Sequence, residues 1–167
     1  MQIARASLTA ALALLLCGAS RESHAADCSI TAVSLNFGAY DPVVTAPDDS
    51  AGTVTVTCRI TTQAATRVNY TVTISNGMNG ATPAARQMSA GAGRLGYNVF
   101  TDPTRSKAWG TGSGGTVIAS GAMTVGPGVG NGGGTQTVTH TVYGRIPQLQ
   151  DAVPGTYSDT LLVTLTF

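Results

Sequence analysis

The chain has 167 residues, enough for one domain, and its charge is nearly balanced, with nine Lys and Arg against eight Asp and Glu. Only 10% of its residues are charged, which excludes the basic footprint that binds nucleic acid or acidic lipid. The same lack of net charge gives little repulsion between copies. This composition favours a protein that packs against other proteins.

The N-terminal residues have the features of a cleaved export signal. Arg5 provides a positive start, and residues 8–16 are almost entirely Ala and Leu. Ser23-His24-Ala25 then places small residues at the two positions that a signal peptidase reads. The apolar run is far shorter than the roughly 20 residues that span a bilayer. We therefore predict a signal peptide over residues 1–25 and a single domain over residues 26–167, exported through the periplasm.

The cysteines predict one disulfide. Cys17 lies in the predicted signal; its lipidation, which would anchor the chain to a membrane, is disfavoured because the preceding Leu16 is not small. Cys28 and Cys58 remain in an oxidising compartment, which favours a bond between them. Closing a loop of this size stabilises a fold by roughly 3–4 kcal/mol. A zinc site is disfavoured because His140 is the only histidine beyond the signal.

The rest of the chain alternates apolar and polar residues with a period of two. Such alternation, rich in Val, Thr and Tyr, predicts strands with one buried face. The alternating sets are Val33, Leu35 and Phe37; Val54, Val56 and Cys58; Val68, Tyr70, Val72 and Ile74; Leu95, Tyr97 and Val99; Val138, His140 and Val142; and Leu161, Val163, Leu165 and Phe167. Turn dipeptides such as Asp41-Pro42, Asn76-Gly77 and Pro154-Gly155 separate them. We predict an all-β, immunoglobulin-like antiparallel sandwich of about seven strands. An antibody-type domain has its buried tryptophan between the two cysteines. Here Trp109 follows both cysteines, so the predicted domain is not of that type.

Two glycine-dense stretches, residues 109–115 and 126–134, are predicted to be mobile loops or hairpin tips. The second contains Gly128-Val129-Gly130-Asn131-Gly132-Gly133, which matches the dinucleotide-binding pattern G-x-G-x-x-G. That pattern binds a cofactor only between a strand and a helix, and no helical pattern follows it. We therefore predict no small-molecule cofactor.

The sequence offers no constellation for catalysis. A nucleophile needs a base beside it, and His140 stands among alternating Thr and Val, where a histidine is usually a sheet-face residue. Asp48-Asp49 follows Pro47 and is predicted to be a solvated turn, too small a group for calcium. We predict that the protein is not an enzyme and has no metal site.

A series of short motifs, in order along the predicted domain, resembles the spore coat protein U family. This domain also forms the subunits of archaic, Csu-type chaperone–usher pili. The motifs are Leu35-Asn36-Phe37-Gly38-Ala39-Tyr40-Asp41-Pro42; Cys58; Tyr70-Thr71-Val72 with Ser75-Asn76-Gly77; Arg86-Gln87-Met88; Leu95-Gly96-Tyr97-Asn98-Val99-Phe100 with Asp102; Trp109-Gly110; Tyr143-Gly144-Arg145-Ile146-Pro147 with Gln150; and Pro154-Gly155-Thr156-Tyr157-Ser158-Asp159-Thr160. Each motif is weak alone, but their order is specific.

The resemblance implies a structural subunit of a bacterial surface assembly, a pilus or a coat-like layer. Such subunits lack the last strand of their sandwich. A periplasmic chaperone fills the open groove, and at an outer-membrane usher a neighbouring subunit's extension replaces it. The resemblance places the strand with Leu161, Val163, Leu165 and Phe167 beside the groove, where unpaired backbone groups need a partner.

One feature departs from the family pattern. Polymerising subunits carry a donor segment ahead of the first cysteine, whereas only Ala26 and Asp27 precede Cys28 in the predicted domain. We therefore expect a terminal position, such as a tip, or a coat-type role. At a tip, residues 126–134 with Met123 and Val125 form the candidate adhesive loop, although a solvated hairpin is the simpler interpretation.

The alternative function is a secreted, self-complete sandwich that acts as an adhesin or binds carbohydrate. Its candidate sugar platform consists of Tyr40, Tyr97, Trp109, Tyr143 and Tyr157. Most of these aromatic residues also fit the strand pattern as core or turn residues. Solubility as a monomer without a chaperone distinguishes this alternative from an incomplete subunit.

Overall fold

The computed structural model describes residues 25–129 and 134–167, and the predicted signal peptide lies outside this part apart from Ala25. Within these two ranges, eight strands form the fold. They are β1 Ala26–Val33, β2 Asp48–Ile60, β3 Thr66–Ile74, β4 Arg86–Ala90, β5 Gly93–Phe100, β6 Ala119–Val125, β7 Thr135–Ile146 and β8 Val163–Thr166. Within the described ranges, no helix is long and apolar enough to cross a membrane.

The strands form two antiparallel sheets, which confirms the predicted all-β sandwich. The larger sheet has the order β1-β2-β7-β5-β4, and the smaller sheet has the order β6-β3-β8. Alternate residues of β2 and β3 are buried, as expected when one face of each strand packs on the opposite sheet. The core therefore lies between the sheets.

The outer face of the larger sheet is lined by threonines. Thr55 and Thr139 are cross-strand neighbours whose hydroxyls lie 3.1 Å apart, and the hydroxyls of Thr57 and Thr137 are at the same distance. Such cross-strand pairs stabilise a sheet. The alternation of valine inside and threonine outside thus sets the register of β2 against β7.

Among the described residues, Trp109 has the largest fully buried side chain. Its indole N–H donates to the Val72 carbonyl at 2.9 Å, and its backbone pairs with Val99 and lies beside Val117. The prediction that residues 109–115 form a mobile loop is therefore wrong for Trp109 and Gly110, both of which are buried. The glycines around Trp109 make the backbone flexible, but burial of the large indole stabilises one fixed conformation of this part of the segment.

The predicted disulfide is confirmed. Cys28 and Cys58 are directly opposite each other on β1 and β2, and their sulfurs are bonded at 2.03 Å. The bond joins neighbouring strands of one sheet and does not bridge the two sheets. It therefore fixes the edge strand β1 to the body of the larger sheet.

Candidate functional site

An open cleft of about 910 Å³ lies between the two sheets. One wall is the end of β1 with the chain that follows it, residues 32–40, and the other is the segment that leads into β8, residues 152–161. The floor is formed by core residues from both sheets: Val54, Ile74, Met88, Leu95, Tyr97, Val142 and Ile146. The cleft therefore opens directly onto the apolar core.

Beyond Val33, the first wall has no strand pairing among the residues that the structure describes. Leu35 and Phe37 are partly buried against the core, and the ring of Phe37 meets that of Tyr97 edge to face at 6.2 Å. The Tyr40 hydroxyl donates to the Pro147 carbonyl and accepts from the backbone N–H of Gln150. These contacts attach the end of the wall to the chain that follows β7.

The second wall is held by backbone pairing and by one carboxylate. Ser158 exchanges two backbone hydrogen bonds with Ser89 at the edge of β4, at 2.9 and 3.1 Å. Asp159 accepts from the backbone N–H groups of Met78 and Thr160 and from the hydroxyl of Tyr97 at 2.8 Å. The wall is therefore anchored to β4 and β5 before the chain crosses to the smaller sheet.

The edge of β8 faces the cleft. β8 pairs only with β3 among the described strands, and the Ser75 N–H donates to the Leu162 carbonyl at 2.9 Å. Successive residues of a strand direct their backbone groups to opposite edges, so those of Leu161, Val163 and Leu165 point away from β3. An apolar cleft beside an unpaired strand edge can accept an additional strand.

The residues predicted to lie beside the groove fall in two places. Leu161 and Val163 line the cleft, and Leu165 is partly buried against the core. Phe167 is half exposed and borders a separate shallow depression that contains Tyr70. The structure thus places Leu161 and Val163 together at the cleft, and Phe167 away from it.

Sequence reasoning missed Leu35 and Phe37 as cleft-wall residues, and it missed the buried Arg86. The guanidinium donates to the carbonyls of Ser75 and Trp109, each at 2.7 Å, and also to Asn98. Burial lowers the pKa of Arg86 to about 10, so it stays charged at neutral pH. Arg86 therefore ties the end of β3 to the Trp109 segment beneath the cleft.

His140 and Asp48-Asp49, the residues considered above for catalysis or metal binding, lie in strands of the larger sheet. His140 Nε2 lies 2.9 Å from the Tyr70 hydroxyl, and burial lowers its pKa. The prediction that Asp48-Asp49 is a solvated turn is wrong, because both residues begin β2. Asp49 forms a bidentate pair with Arg145 at 2.7 and 2.8 Å, and the hydrogen bond lowers the pKa of the carboxyl. Among the described residues no cluster of metal-ligating side chains is found.

Two predicted ligand surfaces are wrong in part, and residues 130–133 of the second, the adhesive loop, lie outside the described residues. Tyr97 and Trp109 are buried, so the aromatic residues do not form an exposed sugar platform. Met123 and Val125 are also buried, so they cannot extend an adhesive loop. Their alternation in β6 points them into the core, and the neighbouring glycines had obscured that pattern.

Comparisons with known proteins agree with this geometry. A family model for the Spore Coat Protein U domain matches residues 15–164. The chain is 33% identical over 143 residues to Protein U of Myxococcus xanthus, an alignment that covers 80% of this chain and 72% of that protein. It also resembles a chain in the crystal structure of the CsuC–CsuE chaperone–tip adhesion subunit pre-assembly complex, from archaic chaperone–usher Csu pili of Acinetobacter baumannii. That match has a TM-score of 0.54 and 22% identity, and it covers 85% of this chain. The chain spans only 40% of the length of that solved chain, and the likeness shows a shared fold.

Proposed function

The chain belongs to the spore coat protein U domain family, and from this we propose that it is a structural subunit of a bacterial surface assembly, a pilus or a coat-like layer. Its cleft accepts a β-strand from a partner. The observation that carries this proposal is the apolar cleft beside the unpaired edge of β8. The family and the fold are those of structural subunits, and we propose no enzymatic activity.

The cleft supplies the two interactions that strand addition needs, backbone hydrogen bonds and burial of apolar side chains. The outward backbone groups of β8 offer hydrogen bonds that fix the register of an added strand. The apolar floor offers burial to every second side chain, worth about 2 kcal/mol for each valine or leucine that becomes fully buried. A partner strand with alternating apolar residues satisfies both.

We propose that a periplasmic chaperone fills the cleft first and that a neighbouring subunit replaces it at an outer-membrane usher. The described fold resembles that of a subunit solved with its chaperone, which supports the first step. Export of the chain through the periplasm to the cell surface, after removal of the signal peptide, follows from this role.

The position of the subunit in the assembly is proposed from β1. Ala26 and Asp27 are already paired with Ile60 and Arg59 of β2, so they are not free to donate to a neighbour. With a signal cleaved after Ala25, the subunit accepts a strand and has none to give. We therefore propose a terminal or coat-type position.

Periplasmic expression with and without the cognate chaperone, followed by intact-mass analysis, tests the function. We expect recovery only as a one-to-one chaperone complex, with the two cysteines oxidised. Val163→Asp places a charge at the cleft and should abolish the complex, whereas Thr164→Asp, on the outer face of the same strand, should retain it. A soluble wild-type monomer without chaperone would overturn the proposal and favour the self-complete binding domain.

A further inference from the structure

Three small residues lie together on the inner face of the larger sheet, directly beneath the first cleft wall. Ser50 of β2 is opposite Gly144 of β7, and Gly52 is the next inward residue of β2. The surrounding inward positions are large, as in Val54, Val142 and Ile146. The sheet therefore has a local depression where its inner face would otherwise be filled by side chains.

The chain that follows β1 crosses the sheet at this depression. A Cβ on Gly52 would lie 2.6 Å from the carbonyl oxygen of Val33 and 3.5 Å from Leu35. Because the first of these atoms is backbone, no rotation of a side chain relieves the contact. Glycine in a strand marks such close approaches of another backbone. At Gly52 the chain leaves the edge of the larger sheet and becomes the wall of the cleft.

The next part of the wall packs against Gly144. A Cβ at this position would lie 2.7 Å from Cζ of Phe37, 3.0 Å from its Cε1 and 3.2 Å from Leu35. The Ser50 hydroxyl donates to the Asn36 carbonyl at 2.6 Å and holds the backbone between the two side chains. A methyl group on Gly144 would therefore push the Phe37 ring away from the sheet, and Phe37 lines the cleft.

We propose that Gly52 and Gly144 are positioning residues that set the width of the cleft. They let the wall formed by residues 32–40 lie low on the larger sheet, which leaves room for an added strand along β8. This inference rests on the proposed function, because the width of the cleft matters only if a strand enters it. A methyl group at either position lifts the wall into the space that the strand occupies.

The variants are purified as chaperone complexes, released from the chaperone in denaturant and refolded in the presence of a short synthetic peptide of alternating valine and threonine. The test measures how tightly each refolded variant binds this peptide. Overpacking of this kind costs enough to weaken binding by about tenfold or more. We expect this loss for Gly144→Ala and for Gly52→Ala. Thr53→Ala, on the outer face next to Gly52, is the matched control and should bind as the wild type does.

A second substitution that restores binding identifies the contact through which the added methyl group acts. Phe37→Leu shortens the side chain that meets the new methyl group, so Gly144→Ala combined with Phe37→Leu should bind as Phe37→Leu alone does. The same change should not rescue Gly52→Ala, whose contact is with backbone. Equal weakening of the single and the double Gly144 variant would overturn the proposal. So would failure of Gly144→Ala to fold without recovery in the double variant.

The position of the wall is also measured without the peptide, from nuclear Overhauser contacts between the Phe37 ring protons and the Gly144 α-protons of the wild type in its chaperone complex. Their absence would overturn the inference. Failure of the wild type to bind any strand, with these contacts present, would instead overturn the proposed function.

Discussion

Replacement of Arg86 by methionine should destabilise the domain strongly. Methionine keeps most of the apolar stem but removes every donor of the guanidinium. The carbonyls of Ser75 and Trp109, which each accept at 2.7 Å, are then buried without a partner. Arg86 itself is 1% exposed, so water does not replace the lost donors without opening the structure.

The magnitude follows from these two carbonyls. Each buried acceptor left without a donor costs about 2 kcal/mol, or about 4 kcal/mol for the pair. Removing a buried cation returns part of this, because its desolvation cost also disappears. We expect a net loss of about 3 kcal/mol in the free energy of unfolding, or about 10 °C in Tm for a domain of this size.

The fluorescence of Trp109 is a direct assay, since it is the only tryptophan and is buried in the folded protein. Urea unfolding of the domain with the valine–threonine peptide bound in the cleft, followed at this residue, gives the free energy of unfolding for the wild type and for Arg86→Met. Arg94→Met is the matched control, because Arg94 is exposed and, within the described part of the chain, donates only to the carbonyls of Gly91 and Gly93. A loss at Arg86 no larger than that of the control would refute the reasoning from orphaned carbonyls.

Three further perturbations test other parts of the molecule. Cys58→Ser should lower the free energy of unfolding by about 3–4 kcal/mol in urea titrations, and an unchanged midpoint would contradict the assigned role of the disulfide. Because burial lowers the pKa of His140 below 6.5, the unfolded chain binds its proton at higher pH than the folded chain, so stability should be lost as the pH falls below 6.5. In His140→Gln, whose side chain stays neutral, the urea midpoint should fall less between neutral and mildly acidic pH than it does in the wild type. An equal fall in both proteins would contradict this. Asp159→Asn replaces the oxygen that accepts from Tyr97 with a donor and should cost about 1–2 kcal/mol in thermal unfolding; Tyr97→Phe should remove most of that difference, and additive effects of the two changes would contradict the pairing.

Local alternation predicted the strands well because each strand of a sandwich has one buried face. The positions that pack on the opposite sheet in β2, β3, β5 and β7 are those expected from a period of two. Alternation does not determine where pairing stops. Leu35 and Phe37 continue the pattern of Val33, yet β1 ends at Val33 and the later residues form a cleft wall.

The buried Arg86 could not be predicted from its neighbours in the chain. Its acceptors come from the end of β3, from Pro83, from Asn98 and from Trp109, and only the folded topology brings these together. The depression at Gly52 and Gly144 was hidden for the same reason. A glycine in a strand indicates a close approach, but the sequence does not say which segment approaches.

The position of the disulfide determines how the domain carries a mechanical load. Tension on the N-terminal end of β1 passes only the pairs of Ala26 and Asp27 before it reaches Cys28, and the covalent bond then transfers it to β2. β2 is joined to β7 by a register of twelve residue pairs, which is loaded in shear, so that its hydrogen bonds must fail together and not one after another. Residues 32–40 lie beyond the cross-link and carry none of this tension. We therefore expect the disulfide to divert a load applied at β1 into β2, and away from the wall of the cleft.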